Sequence, residues 1–173
     1  MARCLKYGTA AAAVVAVVLA IVPSALADPT SRTVLIKDKC DTATFDAVLG
    51  KGACTRGEGV AFGTFVNQLT VSHQAGGWRF APGQLSISPG TDLVVVNTGG
   101  ETHTFTPVPM FGPGFVPFLN LLVFGVAGPP VAAFPPSTFV PAGATVVMHD
   151  LAPGTYMFQC GIHPWMQTTV TVG

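Results

Sequence analysis

The sequence predicts an all-β fold, a Greek-key β-sandwich. Short apolar or alternating segments recur from residue 60 to the C-terminus, and Pro- or Gly-containing turns separate them. The turns are Pro82-Gly83, Pro89-Gly90, Gly99-Gly100, Pro141-Ala142-Gly143 and Pro153-Gly154. Regularly spaced short strands of this kind are typical of a sandwich, whereas alternating strands and helices would indicate a parallel α/β sheet.

The elements follow in chain order. Residues 33–36 predict a strand, and residues 41–49 predict a short helix. Eight further segments predict strands, namely 60–65, 78–80, 85–87, 93–97, 102–105, 145–148, 156–159 and 168–172. Each of these segments is three to six residues long, and most are rich in the β-branched or aromatic side chains that favour strands.

The segment 107–136 departs from this pattern. It contains no charged residue, and its five phenylalanines lie among eight prolines and four glycines. Proline and glycine at this density oppose a long helix, so we expect an ordered apolar loop in which residues 118–126 form at most a short strand or a helical turn. Two interpretations stay open: the aromatic side chains extend the core, or some remain exposed as a docking surface.

The first 27 residues predict a secretory signal peptide. Arg3 and Lys6 give a basic start, residues 10–22 an apolar centre, and residues 25–27 a small-residue cleavage site. The apolar run of about 13 residues is shorter than the roughly 20 that span a bilayer. We therefore expect an exported protein, periplasmic or extracellular, without a membrane span after cleavage. The remaining 146 of 173 residues suit one domain.

The charge of the mature chain argues against nucleic-acid binding. The mature chain keeps six of the eight basic residues and all eight acidic ones, so it lacks the net positive charge of a typical nucleic-acid-binding protein.

The mature chain also keeps three cysteines, Cys40, Cys54 and Cys160. Because export favours disulfides, we predict a Cys40–Cys54 bridge within an N-terminal segment, residues 28–59, and a free Cys160. Three free thiols, or Cys40 and Cys54 as further ligands, are the alternatives.

Three potential metal ligands share one short loop near the C-terminus. Cys160, His163 and Met166 are spaced at intervals of three, between two predicted strands. Thiolate, imidazole and thioether donors together favour copper, and two His, one Cys and a weak axial Met form the ligand set of mononuclear electron-transfer copper. The loop lacks one imidazole. His103, which follows a predicted strand and the Gly99-Gly100 turn, is the best candidate for it.

These motifs resemble those of the cupredoxins, the blue copper proteins. The resemblance lies in Asn-x5-His-Thr-Phe at 97–105 and Tyr-x-Phe-x-Cys-x2-His-Pro-x-Met at 156–166, with the plastocyanin/amicyanin-like ligand spacing. It covers residues 60–173 and implies an eight-stranded sandwich with one type 1 copper ion at one end. His103, Cys160 and His163 would be the equatorial ligands and Met166 the axial one. Many cupredoxins have Asn where this chain has Thr104, whose hydroxyl would have to brace the ligand loop instead.

The resemblance implies an electron carrier rather than an enzyme. Copper enzymes need a second centre, and the chain contains no His-x-His and no His-Cys-His motif. We expect redox partner proteins to dock on an apolar face near the copper. A copper carrier or resistance protein without electron transfer, and a metal-free structural domain, are the alternatives. His73 and His149 are expected to be surface residues outside the site.

Overall fold

The computed structural model describes residues 30–128 and 134–173. The predicted signal peptide, residues 1–27, lies outside the described residues. No helix in the described part of the chain is long and apolar enough to cross a membrane.

Ten strands and three α-helices make up the described chain. In chain order they are β1 Ser31–Lys37, α1 Thr42–Leu49, α2 Phe62–Ser72, β2 Arg79–Ala81, β3 Gln84–Ile87, β4 Asp92–Asn97, β5 His103–Thr104, β6 Thr106–Val108, α3 Pro117–Phe124, β7 Phe139–Val140, β8 Thr145–Met148, β9 Gly154–Gln159 and β10 Gln167–Val172. A single 3-10 turn, Pro136–Thr138, precedes β7.

The strands form two four-stranded sheets and a small two-stranded one. The first sheet has the order β2-β1-β4-β8, the second the order β3-β10-β9-β6, and β5 pairs with β7. The pairs β1–β4 and β3–β10 are parallel, and the other pairs are antiparallel. The predicted all-β sandwich is confirmed, with eight strands in the two main sheets.

The core lies between the two main sheets. On β4, buried Leu93 and Val95 alternate with less buried neighbours, as expected for a strand with one face on the core. From the second sheet, Phe158 is buried and stacks on Phe105 with ring centroids 4.3 Å apart. This alternation explains why the sequence pattern located most of the strands correctly.

Two predicted elements are wrong. Residues 60–65 were expected to form a strand, but α2 begins at Phe62, and its buried residues Phe65 and Leu69 are four positions apart on one helix face. Residues 118–126 were expected to form at most a short strand or a helical turn, but α3 runs for eight residues, with Pro117 in its first turn and Gly125 as its left-handed C-cap. The short strands β6 and β7 were not predicted.

The N-terminal segment is built into the sandwich. β1 pairs along its length with β4, from Ser31 opposite Asp92 to Ile36 opposite Asn97. The predicted Cys40–Cys54 disulfide is present, and Cys160 is free. The predicted helix is also confirmed as α1, whose N-cap Asp41 accepts a hydrogen bond from the backbone N–H of Thr44.

Candidate metal centre

The structure brings the three predicted equatorial donors together. Nδ1 of His103 lies 3.7 Å from Sγ of Cys160, and Nδ1 of His163 lies 3.9 Å from it. The two Nδ1 atoms are 3.2 Å apart. All three side chains are buried. One sulfur and two ring nitrogens therefore face a common point, as ligands of a single ion would.

Backbone hydrogen bonds fix the loop that carries two of these donors. The loop joins β9 to β10, and the N–H of Cys160 donates to the carbonyl of Met166 at 3.0 Å. The N–H of Met166 in turn donates to the carbonyl of His163 at 2.9 Å. His103 begins β5 on the other side of the site. Donors from two separate segments are thus held by regular structure.

Two backbone N–H groups point at the cysteine sulfur. The N–H groups of Thr104 and His163 each lie 3.4 Å from Sγ of Cys160. Hydrogen bonds to sulfur favour its anionic form, which is the form that binds a metal.

Met166 is fully buried at the end of the same loop. Its backbone is tied to both Cys160 and His163, so its position in the loop is fixed. Its assignment as the axial ligand stays a prediction.

Asp38 hydrogen-bonds the ring nitrogen of His103 that points away from Cys160. Its Oδ2 lies 3.0 Å from Nε2 of His103, and both side chains are fully buried. The backbone N–H groups of Gly100 and Glu101 donate to its two oxygens at 2.9 and 3.0 Å. A carboxylate on the second ring nitrogen fixes the tautomer and the orientation of a metal-ligating histidine. Nδ1 of His103 is thereby left to face Cys160.

Glu101 stands in a similar relation to His163. Its Oε1 lies 3.8 Å from Nε2 of His163, and its Oε2 accepts a hydrogen bond from the indole N–H of Trp78. Glu101 is 7% exposed and Trp78 is 1% exposed. Each candidate imidazole ligand therefore has a buried carboxylate on the side away from the thiol.

The donors shift one another's pKa values in the metal-free protein. Burial alone would raise the pKa of the Cys160 thiol, but contacts with His103 and His163 outweigh it and hold that pKa well below its usual value. Burial would lower the pKa of His103, but its bonds to Asp38 and Cys160 raise it to about 9. Burial would raise the pKa of Asp38, but bonds from His103 and two backbone amides lower it to about 2. The site therefore favours a thiolate and an ionised Asp38.

Glycine at positions 99 and 100 lets this turn pass close to Asp38 and Arg56. A Cβ at Gly99 would collide with the carboxylate of Asp38, and a Cβ at Gly100 would lie 2.6 Å from Cβ of Arg56. The two glycines let the backbone pass close to Asp38, so that the N–H groups of Gly100 and Glu101 can donate to its carboxylate.

Two parts of the chain cover the site. On one side, Phe65 of α2 and Trp165 both meet the ring of His163, with centroids 6.2 and 5.3 Å away. On the other side, the N–H of Phe115 donates to the carbonyl of Gly161 at 2.8 Å. The ring of Phe134 packs against that of Phe115, with centroids 5.3 Å apart. The described part of the 107–136 segment therefore lies directly against the ligand loop.

His73 and His149 lie outside the donor cluster, as expected from the sequence. Nδ1 of His73 is 2.9 Å from the carbonyl oxygen of Leu122, and Nδ1 of His149 is 2.8 Å from Oδ1 of Asp92. Both side chains are exposed. By contrast, sequence reasoning missed Asp38, Glu101 and Trp78 as parts of the site.

No protein-family model matches the chain. No curated protein matches it either. Among solved structures, a purple cupredoxin from Nitrosopumilus maritimus aligns over 82% of this chain and 98% of its own, at 17% identity and a TM-score of 0.43. Oxidised plastocyanin from Dryopteris crassirhizoma aligns over 82% and 100%, at 18% identity and a TM-score of 0.42. A copper-containing nitrite reductase from Thermus scotoductus aligns over 55% and 20%, at 21% identity and a TM-score of 0.37.

The two main sheets have four strands each, and the ligand loop joins the neighbouring strands β9 and β10 at one end of the sandwich. The chain has a cupredoxin-like fold. Similarity at this level says nothing of function, so the chemistry of the site has to be argued from its own side chains. One thiolate and two imidazoles, each with its outer nitrogen facing a carboxylate, fit a copper ion: a thiolate suits soft metals, and imidazole suits copper.

Proposed function

We propose that this protein is an exported type 1 copper protein that carries single electrons. One observation supports this most directly: a buried cysteine sulfur lies within 4 Å of Nδ1 of both His103 and His163. His103, Cys160 and His163 would hold the ion, with Met166 as axial ligand. Copper bound there would supply a one-electron couple between Cu(II) and Cu(I).

The protein's own residues favour rapid exchange of an electron. Asp38 hydrogen-bonds His103, the rings of Phe65 and Trp165 pack against His163, and the hydrogen bonds within the 160–166 loop restrain the sulfur. A donor set that is already in place needs little rearrangement when the charge of the ion changes. Preorganisation of this kind supports electron transfer better than it supports copper carriage, which needs a site that releases its ion.

We propose a carrier rather than an enzyme. The sequence lacks the paired-histidine motifs of a second copper centre, and Cys160 is the single cysteine of its loop. In the described chain, the other cluster of metal-ligating side chains, Asp38, Glu101 and His103, shares His103 with the first and supplies its carboxylate support. The site therefore has donors for one ion and no separate group for substrate chemistry.

The apolar outer side of the 107–136 segment is the proposed docking face for a redox partner. Phe118, Leu121 and Phe124 on α3 are 51%, 52% and 39% exposed. The same segment contacts Gly161, next to the ligand Cys160. Replacing Phe118 and Leu121 with Ser should slow electron exchange with such a partner without changing the visible spectrum; Val71→Ser, at a 72% exposed residue of α2, serves as the control.

The decisive experiment is the visible absorption and EPR spectrum of the mature protein after one equivalent of Cu(II) is added. We expect an intense band near ~600 nm from thiolate-bound copper, lost in Cys160→Ser. Met166→Leu should perturb the EPR spectrum, whereas the control Met148→Leu, on β8, should not. A weakly coloured complex that loses copper rapidly to a chelator would contradict electron transfer and favour a copper carrier.

Export is tested separately. We expect the full chain, expressed with its own N-terminus in a bacterium that secretes proteins, to yield a product that begins at Asp28. A product that retains residues 1–27 would contradict the signal-peptide prediction.

A further inference from the structure

Four basic side chains line one surface pocket behind Asp38. The pocket has a volume of about 340 Å³. Its lining residues are Lys37, Asp38, Lys39, Arg56, Gly77, Arg79 and Thr98. Its four cations are four of the six basic residues in the predicted mature chain. We call this the basic pocket.

The cations of the basic pocket have no acidic partner. Within the described residues, the ion pairs closer than 4.0 Å all involve histidines. Arg79 donates to the carbonyl oxygen of Gly76 at 3.0 Å, and the aliphatic stem of Lys39 packs against Gly77. The pocket therefore presents unneutralised positive charge to the solvent, on a chain whose mature charge is slightly negative.

Asp38, the one acid of the pocket, does not neutralise these cations. It is 2% exposed, and its oxygens are occupied by His103 and by the backbone amides of Gly100 and Glu101. Its charge is directed toward the candidate metal centre. Asp38 therefore both lines the pocket and contacts the candidate ligand His103, whereas the other charged side chains of the pocket are positive.

The fold assembles the basic pocket from separate segments. Lys37 and Lys39 lie at and beyond the end of β1, and Arg79 begins β2. Arg56 is brought in by the segment after the disulfide, where the N–H of Thr55 donates to the carbonyl of Gly100 at 2.8 Å. The same turn, Gly99-Gly100, thus contacts Asp38 on its inner side and Arg56 on its outer side.

We propose that the basic pocket binds an anionic one-electron carrier, which exchanges an electron with the copper from the His103 side. The proposal rests on the proposed function and adds a partner of stated charge. In the reducing direction, the carrier would lose one electron and a copper ion held by His103, Cys160 and His163 would gain it; no proton would move and no covalent bond would break.

Two physical arguments support this assignment. Concentrated charge of one sign raises the association rate of an oppositely charged partner, and the effect falls with ionic strength. The position also suits electron exchange, because Asp38 lines the pocket and also makes the 3.0 Å hydrogen bond to the candidate ligand His103. His163, the other imidazole, is covered by Phe65 and Trp165.

The first test measures binding with a redox-inert anion, hexacyanocobaltate(III). Titrated into the full mature protein, it should cause saturable NMR shifts at the backbone amides of Gly77, Thr98 and Gly100, weaker at higher salt. Arg56→Gln and Arg79→Gln should weaken binding several-fold. The matched controls Arg32→Gln and Lys51→Gln change the net charge equally but lie outside the pocket, so they should not. Equal losses in all four variants, or no saturable binding, would overturn the proposal.

The second test measures electron exchange with hexacyanoferrate(II) by stopped flow. The double variant Arg56→Gln/Arg79→Gln should raise the concentration needed for half-saturation while leaving the limiting rate unchanged. Reduction by a cationic cobalt(II) phenanthroline complex should not slow. A double variant that behaves like wild type with the anion would overturn the proposal.

The two proposals fail in different ways. Hexacyanocobaltate(III) binding needs no copper, so it can be measured on the metal-free protein. A pocket that binds this anion in a protein without a blue spectrum would overturn the electron-transfer role of both the pocket and the centre. A blue protein whose pocket binds no anion would overturn the basic-pocket proposal alone.

Discussion

The hydroxyl of Thr104 accepts a 2.7 Å hydrogen bond from the backbone N–H of Gly161. Thr104 follows the candidate ligand His103, and Gly161 follows the candidate ligand Cys160. The bond therefore links the two segments that supply the donors, at the position where many cupredoxins use Asn. The hydroxyl of Thr106 donates to the same oxygen at 3.1 Å, so the Thr104 oxygen accepts both bonds.

Thr104→Val should destabilise the protein and loosen the metal centre. Valine has nearly the same shape, but it leaves the buried N–H of Gly161 without a partner, which costs about 1–3 kcal/mol. Urea unfolding of the metal-free protein measures the loss, and the width of the copper EPR signal reports the loosening. Thr104→Ser keeps the hydroxyl and should retain most of the stability. If the serine variant is as unstable as the valine variant, the hydroxyl does not brace the loop.

Asp38→Asn and Glu101→Gln should each raise the reduction potential of the bound copper. Both carboxylates are buried beside the imidazoles, and negative charge there favours Cu(II) over Cu(I). The amides keep the size of the side chains and remove the charge. Voltammetry of the copper protein measures the shift. Asp150→Asn, an equal charge change at an exposed residue, is the control. Similar shifts in the control would show that only the net charge matters.

The sequence indicated which side chains come together at the site, but not the carboxylates behind them. Cys160 and His163 are close in sequence, and their spacing predicted that they would share a site with His103, as the structure places them; the axial role of Met166 stays a prediction. Asp38 reaches His103 across 65 positions because β1 and β4 are parallel, and the residues that follow parallel strands meet at one edge of the sheet. Nothing local distinguishes a parallel from an antiparallel neighbour, so this juxtaposition could not be predicted.

The same limit explains the errors in the elements. The strands were predicted where alternation reflects a buried face, as on β4 and β10. Residues 62–72 carry apolar side chains that also suit a strand over a short window. Their helical form depends on packing of Phe65 against Trp78 and Phe45, at centroid distances of 4.6 and 5.5 Å. Tertiary contacts thus decided a segment in which local preference was ambiguous.

Gly114→Ala should disturb the ligand loop from outside. A Cβ at residue 114 would collide with the carbonyl oxygen of Gly161, which is backbone and cannot rotate away. We expect a displaced loop, a shifted visible band and lower stability. Gly63→Ala is the control, because a Cβ there meets nothing within 4 Å and alanine suits a helix better than glycine. An unchanged spectrum in Gly114→Ala would show that the 107–136 segment does not constrain the copper ligands.

Removing the disulfide should destabilise the fold while sparing the spectrum. The bridge joins residues 14 positions apart, and closing a loop of about 15 residues contributes roughly 3 kcal/mol in the chain-entropy model. The double variant Cys40→Ser/Cys54→Ser should therefore lose about that amount in urea unfolding. It should also bind hexacyanocobaltate(III) less tightly, because the bridged segment positions Arg56. Loss of the blue band in this variant would indicate that the bridge supports the centre directly.

Asp46 should make part of the stability depend on acidic pH. Backbone N–H groups of Gly52 and Cys54 donate to its carboxylate at 2.9 and 3.1 Å and lower its pKa. A lowered pKa in the folded protein means that this contribution is fully present above the unfolded pKa, near 3.8, and is lost as the pH falls through the folded value. Asp46→Asn should lower the stability at neutral pH, because its single amide oxygen cannot replace both carboxylate oxygens. It should also reduce the drop in thermal midpoint between neutral pH and about pH 3, because the amide does not titrate. Asp150→Asn is the control for the change in charge. A drop in Asp46→Asn as large as in the wild type would mean that titration of other groups causes the loss of stability at acidic pH.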